Sequence, residues 1–124
     1  MGLTVVIASK TRYSGTVSPS AIDSETTVLE IPGETDDYIV EGYIDLSQLA
    51  SGDEVVVREY IAVDGTNYQK FLEVTFSGAQ NEPVIRFHSK ILLYNMKYKI
   101  TITQTAGTLR SFPYGFLKEV LGTV

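Results

Sequence analysis

Apolar and polar residues alternate along most of the chain, which predicts β-strands rather than helices. The alternation is clearest in four runs: DEVVVREYIAV (53–63), NYQKFLEVTFS (67–77), PVIRFHS (83–89) and NMKYKITITQ (95–104). Because successive side chains of a strand point to opposite faces, a period of two indicates one buried and one solvated face. Turn-forming residues separate the runs. The pattern therefore predicts a β-sandwich.

The best-defined unit is a hairpin over residues 53–77. Asp64-Gly65-Thr66 lies between its two alternating runs, and Asp-Gly in that position is a strong hairpin signal. Alternation also assigns the faces of this hairpin and of the strand at 95–104. The side chains that we expect in the core are Leu72, Val74, Phe76, Ile100 and Ile102.

Residues 37–46 predict another strand, with its apolar face formed by Tyr38, Val40, Ile44 and Leu46. Gly42 in the middle of that strand predicts a β-bulge or the close approach of another backbone. Directly after it, Leu46 and Leu49 are three residues apart. This spacing predicts a single helical turn, closed by Gly52, that plugs one end of the sandwich.

The first 24 residues differ from the rest. Residues 3–8 predict a strand, but residues 9–24 are rich in Ser, Thr, Gly and Pro. Such a segment is typical of a surface loop or of an extended arm that becomes ordered on a partner. We therefore divide the chain into 1–24, an N-terminal strand followed by a loop or arm, and 25–124, a β-sandwich domain. A final strand is expected from about Phe116.

Composition supports the same fold class. Val, Ile, Thr, Tyr and Phe supply 49 of the 124 residues and Ala only six, as expected for pleated, half-buried surfaces. We predict an all-β, single-domain antiparallel sandwich of seven to nine strands, of jelly-roll or immunoglobulin-like type. The chain has no cysteine, which excludes disulfides and thiolate chemistry. We expect no secretory signal and no membrane span, because apolar runs are short.

Charge is distributed unevenly along the chain. Residues 23–64 hold twelve acids and one base, whereas residues 65–124 hold three acids and seven bases. Two interpretations remain open. The two segments could pair with each other inside one subunit, or they could form complementary surfaces on neighbouring subunits. Nucleic-acid binding is disfavoured, because the net charge is −5 and no Arg cluster is present.

His88 is the only histidine, and it is the first candidate for catalysis. Ser89 or Ser77 could serve as its nucleophile, but no nucleophile elbow or oxyanion loop accompanies them. A single His without Cys also makes a zinc site improbable. We predict no catalytic residue, no cofactor and no enzymatic activity.

A loop carries the acids Glu34, Asp36 and Asp37. Loop carboxylates are typical calcium ligands, but the spacing matches no EF-hand, and such clusters are usually only solvated. We therefore predict no metal site there.

Tyrosine is the remaining indication of function. The chain has eight Tyr, five Phe and no Trp, and Tyr43, Tyr60 and Tyr94 fall where exposure is expected. Exposed aromatic side chains mark either a protein interface or a sugar-binding platform. The absence of Trp favours the interface.

Two stretches, YIDLSQLASGDEVVVREYIAVDGTNYQKF (43–71) and FHSKILLYNMKYKITITQTAGT (87–108), resemble small β-sandwich structural proteins of tailed viruses. The resemblance implies a non-enzymatic subunit that decorates or stabilises a capsid. It also implies that such subunits are usually oligomeric. We expect a homo-oligomer, with a trimer favoured, that docks on a capsid or another virion protein, and we expect no nucleic-acid or membrane partner. Such a subunit resides in the virion after assembly in the host cytoplasm. The alternative is a carbohydrate- or ligand-binding sandwich module of an adhesin or tail fibre.

Overall fold

The computed structural model describes residues 4–123, which form eight strands and no helix. The strands are β1 (Val5–Val17), β2 (Thr26–Ile31), β3 (Tyr38–Asp45), β4 (Glu54–Ala62), β5 (Gln69–Ser77), β6 (Val84–Leu92), β7 (Lys97–Ala106) and β8 (Phe112–Thr123). All strand pairs are antiparallel. The predicted all-β class and strand number are confirmed.

The strands form two four-stranded sheets, which we call sheet A and sheet B. Sheet A has the order β1-β8-β3-β6, and sheet B has the order β2-β7-β4-β5. The pairs β1–β8, β2–β7, β3–β6 and β4–β5 make the chain one long antiparallel ribbon that reverses at the β4–β5 turn. Wrapping this ribbon adds the pairs β3–β8 and β4–β7. This topology is an eight-stranded jelly roll, one of the two predicted sandwich types.

The β4–β5 hairpin turns where the sequence predicts. Asp64 accepts hydrogen bonds on Oδ1 from the backbone N–H groups of Thr66, at 2.8 Å, and Asn67, at 2.7 Å. Gly65 adopts φ of +79°, a conformation that glycine reaches without steric cost. These contacts fix the reversal about which the whole ribbon is folded.

The core lies between the two sheets, and most of its predicted members are confirmed. On β3 the predicted apolar face is fully buried, and Ile100 and Ile102 of β7 are buried as well. The largest fully buried apolar side chains are Tyr38, Tyr98, Phe112, Ile31, Ile44, Leu46, Leu92, Ile100 and Ile102.

Gly42 fulfils both expectations that its position raised. The β3–β6 register shifts between Val40 and Gly42, which is a bulge. A Cβ atom at Gly42 would lie 2.2 Å from the carbonyl oxygen of Gly115 and 2.4 Å from the Phe116 ring. Only glycine therefore allows β3 and β8 to approach this closely.

The segment after β3 differs in form from the prediction. Two successive turns replace the expected helical turn, closed by hydrogen bonds from Leu49 N to Leu46 O and from Asp53 N to Ala50 O. The Asp53 carboxylate also accepts the Ala50 N–H at 2.9 Å, which favours a second turn over continued helix. Leu46 and Leu49 are nevertheless buried and close this end of the core.

The N-terminal segment also differs, because β1 continues to Val17 where a loop or arm was expected from residue 9. β1 pairs with β8 from Val5 to Val17, with a register shift after Ile7. An edge strand needs few buried side chains, and only Tyr13 and Val17 pack on the core. The polar composition of residues 9–17 therefore did not indicate the strand that they form. β8 likewise begins at Phe112 rather than near Phe116.

Candidate functional site

Ion pairs join the acidic segment to the basic segment within the chain. Asp53 pairs with Arg110 at 2.7 Å, Glu59 pairs with Lys90 at 3.3 Å, and Lys118 binds Glu34. All three link residues 23–64 to residues 65–124. Three of the twelve acids of residues 23–64 are therefore paired with three of the seven bases of residues 65–124 inside one subunit. Pairing within the subunit thus accounts for part of the uneven charge distribution.

A cluster of Glu59, Lys90 and Tyr98 lies between the sheets. The Tyr98 hydroxyl and the Lys90 ammonium both donate to Glu59 Oε1, and Lys90 also donates to the His88 carbonyl at 2.7 Å. Burial, together with the negative charge of Glu59, raises the pKa of Tyr98 far above its ordinary value. Each polar group has a partner, so the cluster is a structural element of the core.

Asp53 organises the opposite end of the sandwich. Its carboxylate accepts hydrogen bonds from Ala50 N, Thr108 N and Arg110 Nε, at 2.7–3.0 Å. Its backbone oxygen accepts Gly78 N at 2.8 Å. The hydrogen bond from Ala50, followed by that from Arg110, holds the pKa of Asp53 below its ordinary value. Sequence reasoning counted Asp53 only as one acid among twelve.

The structure does not assemble the catalytic candidates into a site. His88 and Ser89 are exposed on β6, whereas Ser77 lies on β5 and donates to Glu54 at 3.0 Å. Among residues 4–123, no hydrogen bond links the His88 ring to either serine. These side chains carry no recognisable catalytic geometry.

The loop acids turn towards separate partners. Glu34 binds Lys118, Asp36 accepts the Asp37 N–H at 2.8 Å, and Asp37 accepts the Tyr94 N–H at 2.9 Å. Over the described range, no group of three or more His, Cys, Asp or Glu side chains is placed to hold a metal ion.

The three tyrosines have different surroundings. Tyr43 and Tyr94 are exposed, by 53% and 59% respectively. Tyr60 is half-buried, donates to Glu25 at 2.6 Å, and has the Lys99 ammonium 5.1 Å from its ring centre. Only Tyr43 and Tyr94 are therefore available to a partner.

A first surface with several exposed apolar side chains lies along β5 and β6, and we call it the open edge. Each strand is the last in its sheet and pairs on one side only. Between them lies a cleft of about 80 Å³. It is lined by Val57, Leu72, Val74, Phe76, Ile85, Arg86 and Phe87.

Burial on β5 corrects the sequence prediction. Leu72, Val74 and Phe76 pair with Glu59, Val57 and Val55, so they face the core side as alternation predicts. Leu72 is nevertheless 42% exposed and Val74 37% exposed, and Phe76 is only half-buried. The prediction that Leu72 and Val74 are buried is wrong, because β6 does not close over them, whereas Phe76 is partly buried and packs against the core.

A second surface is a hollow on the outer face of sheet A. The hollow has a volume of about 360 Å³, and nothing lies within 4 Å of where a Cβ at Gly115 would be. The hollow is lined by Arg12, Glu41, Gly42, Tyr43, Gly115, Phe116 and Leu117. It combines an exposed aromatic ring with two charged side chains.

A third surface is a projecting ribbon formed by residues 5–7 and 121–123. β3 accompanies β8 only as far as the pair Tyr38–Val120, so this ribbon extends beyond the third strand. Val5 and Ile7 in it are largely exposed.

Across residues 4–123, no helix has the length and apolar character needed to span a membrane.

The fold and these surfaces define a jelly-roll sandwich whose candidate sites are for binding. Neither the models of known protein families nor the curated protein sequences give a match to this chain. Solved structures do match in fold. A Bacillus endospore appendage protein, from a family of disulfide-linked pili, has a TM-score of 0.55 at 12% identity, covering 97% of this chain and 91% of that one.

Structural proteins of infectious bursal disease virus also match. The Gx strain protein has a TM-score of 0.52 at 12% identity, covering 98% of this chain and 32% of that one. The VP2 subviral particle gives 0.47 at 11% identity, with 96% and 32% covered. This chain therefore spans about a third of the virus protein. The resemblance to virion β-sandwich proteins is confirmed at the level of fold, but not for tailed viruses in particular.

Proposed function

We propose that this protein is a non-enzymatic structural subunit that assembles with copies of itself and docks on a larger shell. The observation that carries the proposal is the open edge, where Leu72 and Val74 face the core side of a single chain yet remain exposed. An exposed apolar strand edge is a surface for pairing with another chain. Fold similarity to a pilus protein and a virus protein supports an assembly role.

More specifically, we propose that the protein is a subunit that decorates or stabilises a capsid and is located in the virion. The resemblance of the sequence favours a homo-oligomer, with a trimer as the first expectation, and a capsid or other virion protein as partner. The disulfide linkage of the endospore pili is not open to this chain, because it has no cysteine. We infer that its assembly rests on surface contacts such as the open edge and the projecting ribbon.

The test is the mass of the purified protein, measured by light scattering across a range of concentrations. The monomer mass is 13.7 kDa, and a defined oligomer would appear as an integer multiple of it. Deleting residues 1–7 removes β1's part of the projecting ribbon and leaves Ser9–Val17 paired with β8. We expect this variant to fold but to dock more weakly. A protein that remains monomeric at millimolar concentration would contradict the proposal.

The hollow around Gly115 supports a second candidate function, binding of a carbohydrate or another small polar ligand. Tyr43 offers an exposed ring, while Arg12 and Glu41 offer hydrogen-bond donors and acceptors at its border. Aromatic stacking combined with a few polar groups is typical of ligand sites. A glycan array with the native protein and Tyr43→Ala tests this candidate. Tyr94→Ala, which removes an exposed tyrosine outside the hollow, is the matched control.

A further inference from the structure

The four edge strands of the sandwich are protected to different degrees. β1 carries Lys10 and Arg12, and β2 has only six residues with a register shift after Thr27. β6 carries Arg86, and the β3–β6 register shift falls beside its middle. Charges, bulges and short length are the usual means by which proteins prevent strands from pairing with other chains. These three edges are protected in that way.

β5 is the exception. Its single bulge leaves Phe71 unpaired between Lys70 and Leu72, near the start of the strand. Beyond it the pairing is regular from Leu72 to Ser77, and this stretch contains no proline and one charge, Glu73. All nine residues of β5 are exposed or half-buried. From Leu72 to Ser77 the strand therefore presents a regularly paired backbone edge without a neighbour, and every second side chain of this stretch is apolar.

We propose that the occupant of this edge is β5 of a second copy, paired antiparallel about a two-fold axis at Val74. This inference rests on the proposed function. It specifies a two-fold contact between pairs of copies, which is a dimer contact and not the three-fold contact of the trimer expected from the sequence. With Val74 on the axis, Leu72 of each copy lies opposite Phe76 of the other, and Glu73 lies opposite Thr75. The apolar side chains on the core side of β5 would then form one continuous row, which extends sheet B across both copies.

Other two-fold registers are less favourable. With Glu73 on the axis, two carboxylates face each other, which is destabilising. With Leu72 on the axis, Lys70 falls opposite Val74. With Thr75 on the axis, Leu72 falls opposite Gly78 and loses its apolar partner. Charge and apolar matching both favour Val74, which also lies near the middle of the regular stretch.

The same contact would close the cleft of the open edge. Leu72, Val74 and Phe76 line it together with Ile85 and Phe87 of β6. A second β5 places three further apolar side chains beside this row. The core-facing side chains of β5 that are exposed in the single chain would then be buried. Burial of apolar surface is favourable, so it would stabilise the contact.

Single-cysteine variants test the register directly, since the native chain contains no cysteine. Residues directly opposite in an antiparallel pair have Cα atoms about 4.5–5.5 Å apart, which suits a disulfide. Val74→Cys should cross-link to a covalent dimer under mild oxidation. Glu73→Cys and Thr75→Cys should not, because each lies about 8 Å from its own copy, beyond disulfide reach.

A charge variant provides the second measurement. Val74→Lys places two ammonium groups on the axis, and we expect it to weaken self-association at least tenfold. Val63→Lys is the matched control, because Val63 is an exposed valine in the β4–β5 turn, outside the strand. It should self-associate like the native chain.

The outcomes separate this inference from the proposed function. An oligomer that survives Val74→Lys and gives no Val74→Cys cross-link overturns the two-fold contact, while leaving assembly in place. Efficient Thr75→Cys cross-linking would also overturn it, in favour of the alternative register. A native protein that is monomeric at every concentration overturns both.

Discussion

The ion pair between Glu59 and Lys90 allows a sharp test of how the core is stabilised. Glu59→Ala would leave the Lys90 ammonium between the sheets without its carboxylate, and would remove the acceptor of the Tyr98 hydroxyl. Removing one partner of a buried pair costs about 3–5 kcal/mol. Lys90 keeps its hydrogen bond to His88 O and its side chain is 18% exposed. We therefore expect Glu59→Ala to lower the free energy of unfolding by about 3 kcal/mol.

Two further variants separate charge from hydrogen bonding. Glu59→Gln keeps an acceptor oxygen for Tyr98 but removes the negative charge, so its loss should lie between zero and that of Glu59→Ala. The triple variant Glu59→Met, Lys90→Met and Tyr98→Phe removes every polar group of the cluster. Because apolar replacement of a whole buried ion pair is often neutral or stabilising, the triple variant should recover most of the stability.

The measurement is urea unfolding at pH 7, followed by circular dichroism. The slope of the free energy of unfolding against urea should stay constant across the series, since all variants expose similar surface on unfolding. Glu82→Gln, at an exposed loop position, is the control and should match the native protein. If Glu59→Ala falls within about 0.5 kcal/mol of the native protein, the pair is not buried as described.

Three other predictions test separate parts of the fold by urea unfolding, the third of them between pH 5 and pH 2. Phe76→Ala should lower the free energy of unfolding by about 1–2 kcal/mol, because Phe76 lies on the open edge. Phe112→Ala, at a fully buried position, should lower it by about 3–5 kcal/mol. Equal losses in the two variants would contradict this prediction. Gly42→Ala should lower the free energy of unfolding by about 1–3 kcal/mol or more, because the added Cβ clashes with β8. Gly115→Ala should be tolerated, because its Cβ would lie in open space. If Gly115→Ala were the more destabilising variant, the close approach of β3 and β8 at Gly42 would be refuted. Asp53 has a lowered pKa, so it stabilises the fold above its unfolded value of 3.8, and this contribution is lost as the pH falls through the folded value. The native protein should therefore lose more stability between pH 5 and pH 2 than Asp53→Asn does, and parallel losses would exclude this role.

Much of the fold could be predicted from alternation and turn chemistry. The apolar face of β3, the Asp64-Gly65 turn and the bulge at Gly42 each follow from a local rule that the tertiary structure does not override. β1 could not be recognised in this way, because an edge strand that packs only Tyr13 and Val17 against the core has a polar sequence. β8 begins early for a related reason. At Pro113 it pairs with Thr16 alone, and strands with one neighbour tolerate proline.

The interior ion pairs show a different limit of sequence reasoning. Glu59 interrupts an otherwise apolar face of β4, and that interruption was the only local signal of a buried charge. Its partner Lys90 is 31 residues away on the other sheet, and no local rule connects them. The ribbon topology explains why acidic and basic segments pair, because it brings strands that are distant in sequence together between the sheets.

The failed prediction on β5 has the most functional meaning. Alternation correctly assigned Leu72 and Val74 to the core-facing side, so the error concerns only what covers them. Which face a side chain takes is set by its own strand, whereas burial also needs a neighbouring chain segment. Leu72 and Val74 face the core side but remain exposed, because no segment within residues 4–123 covers them. That mismatch marks the part of the surface where a second subunit is expected.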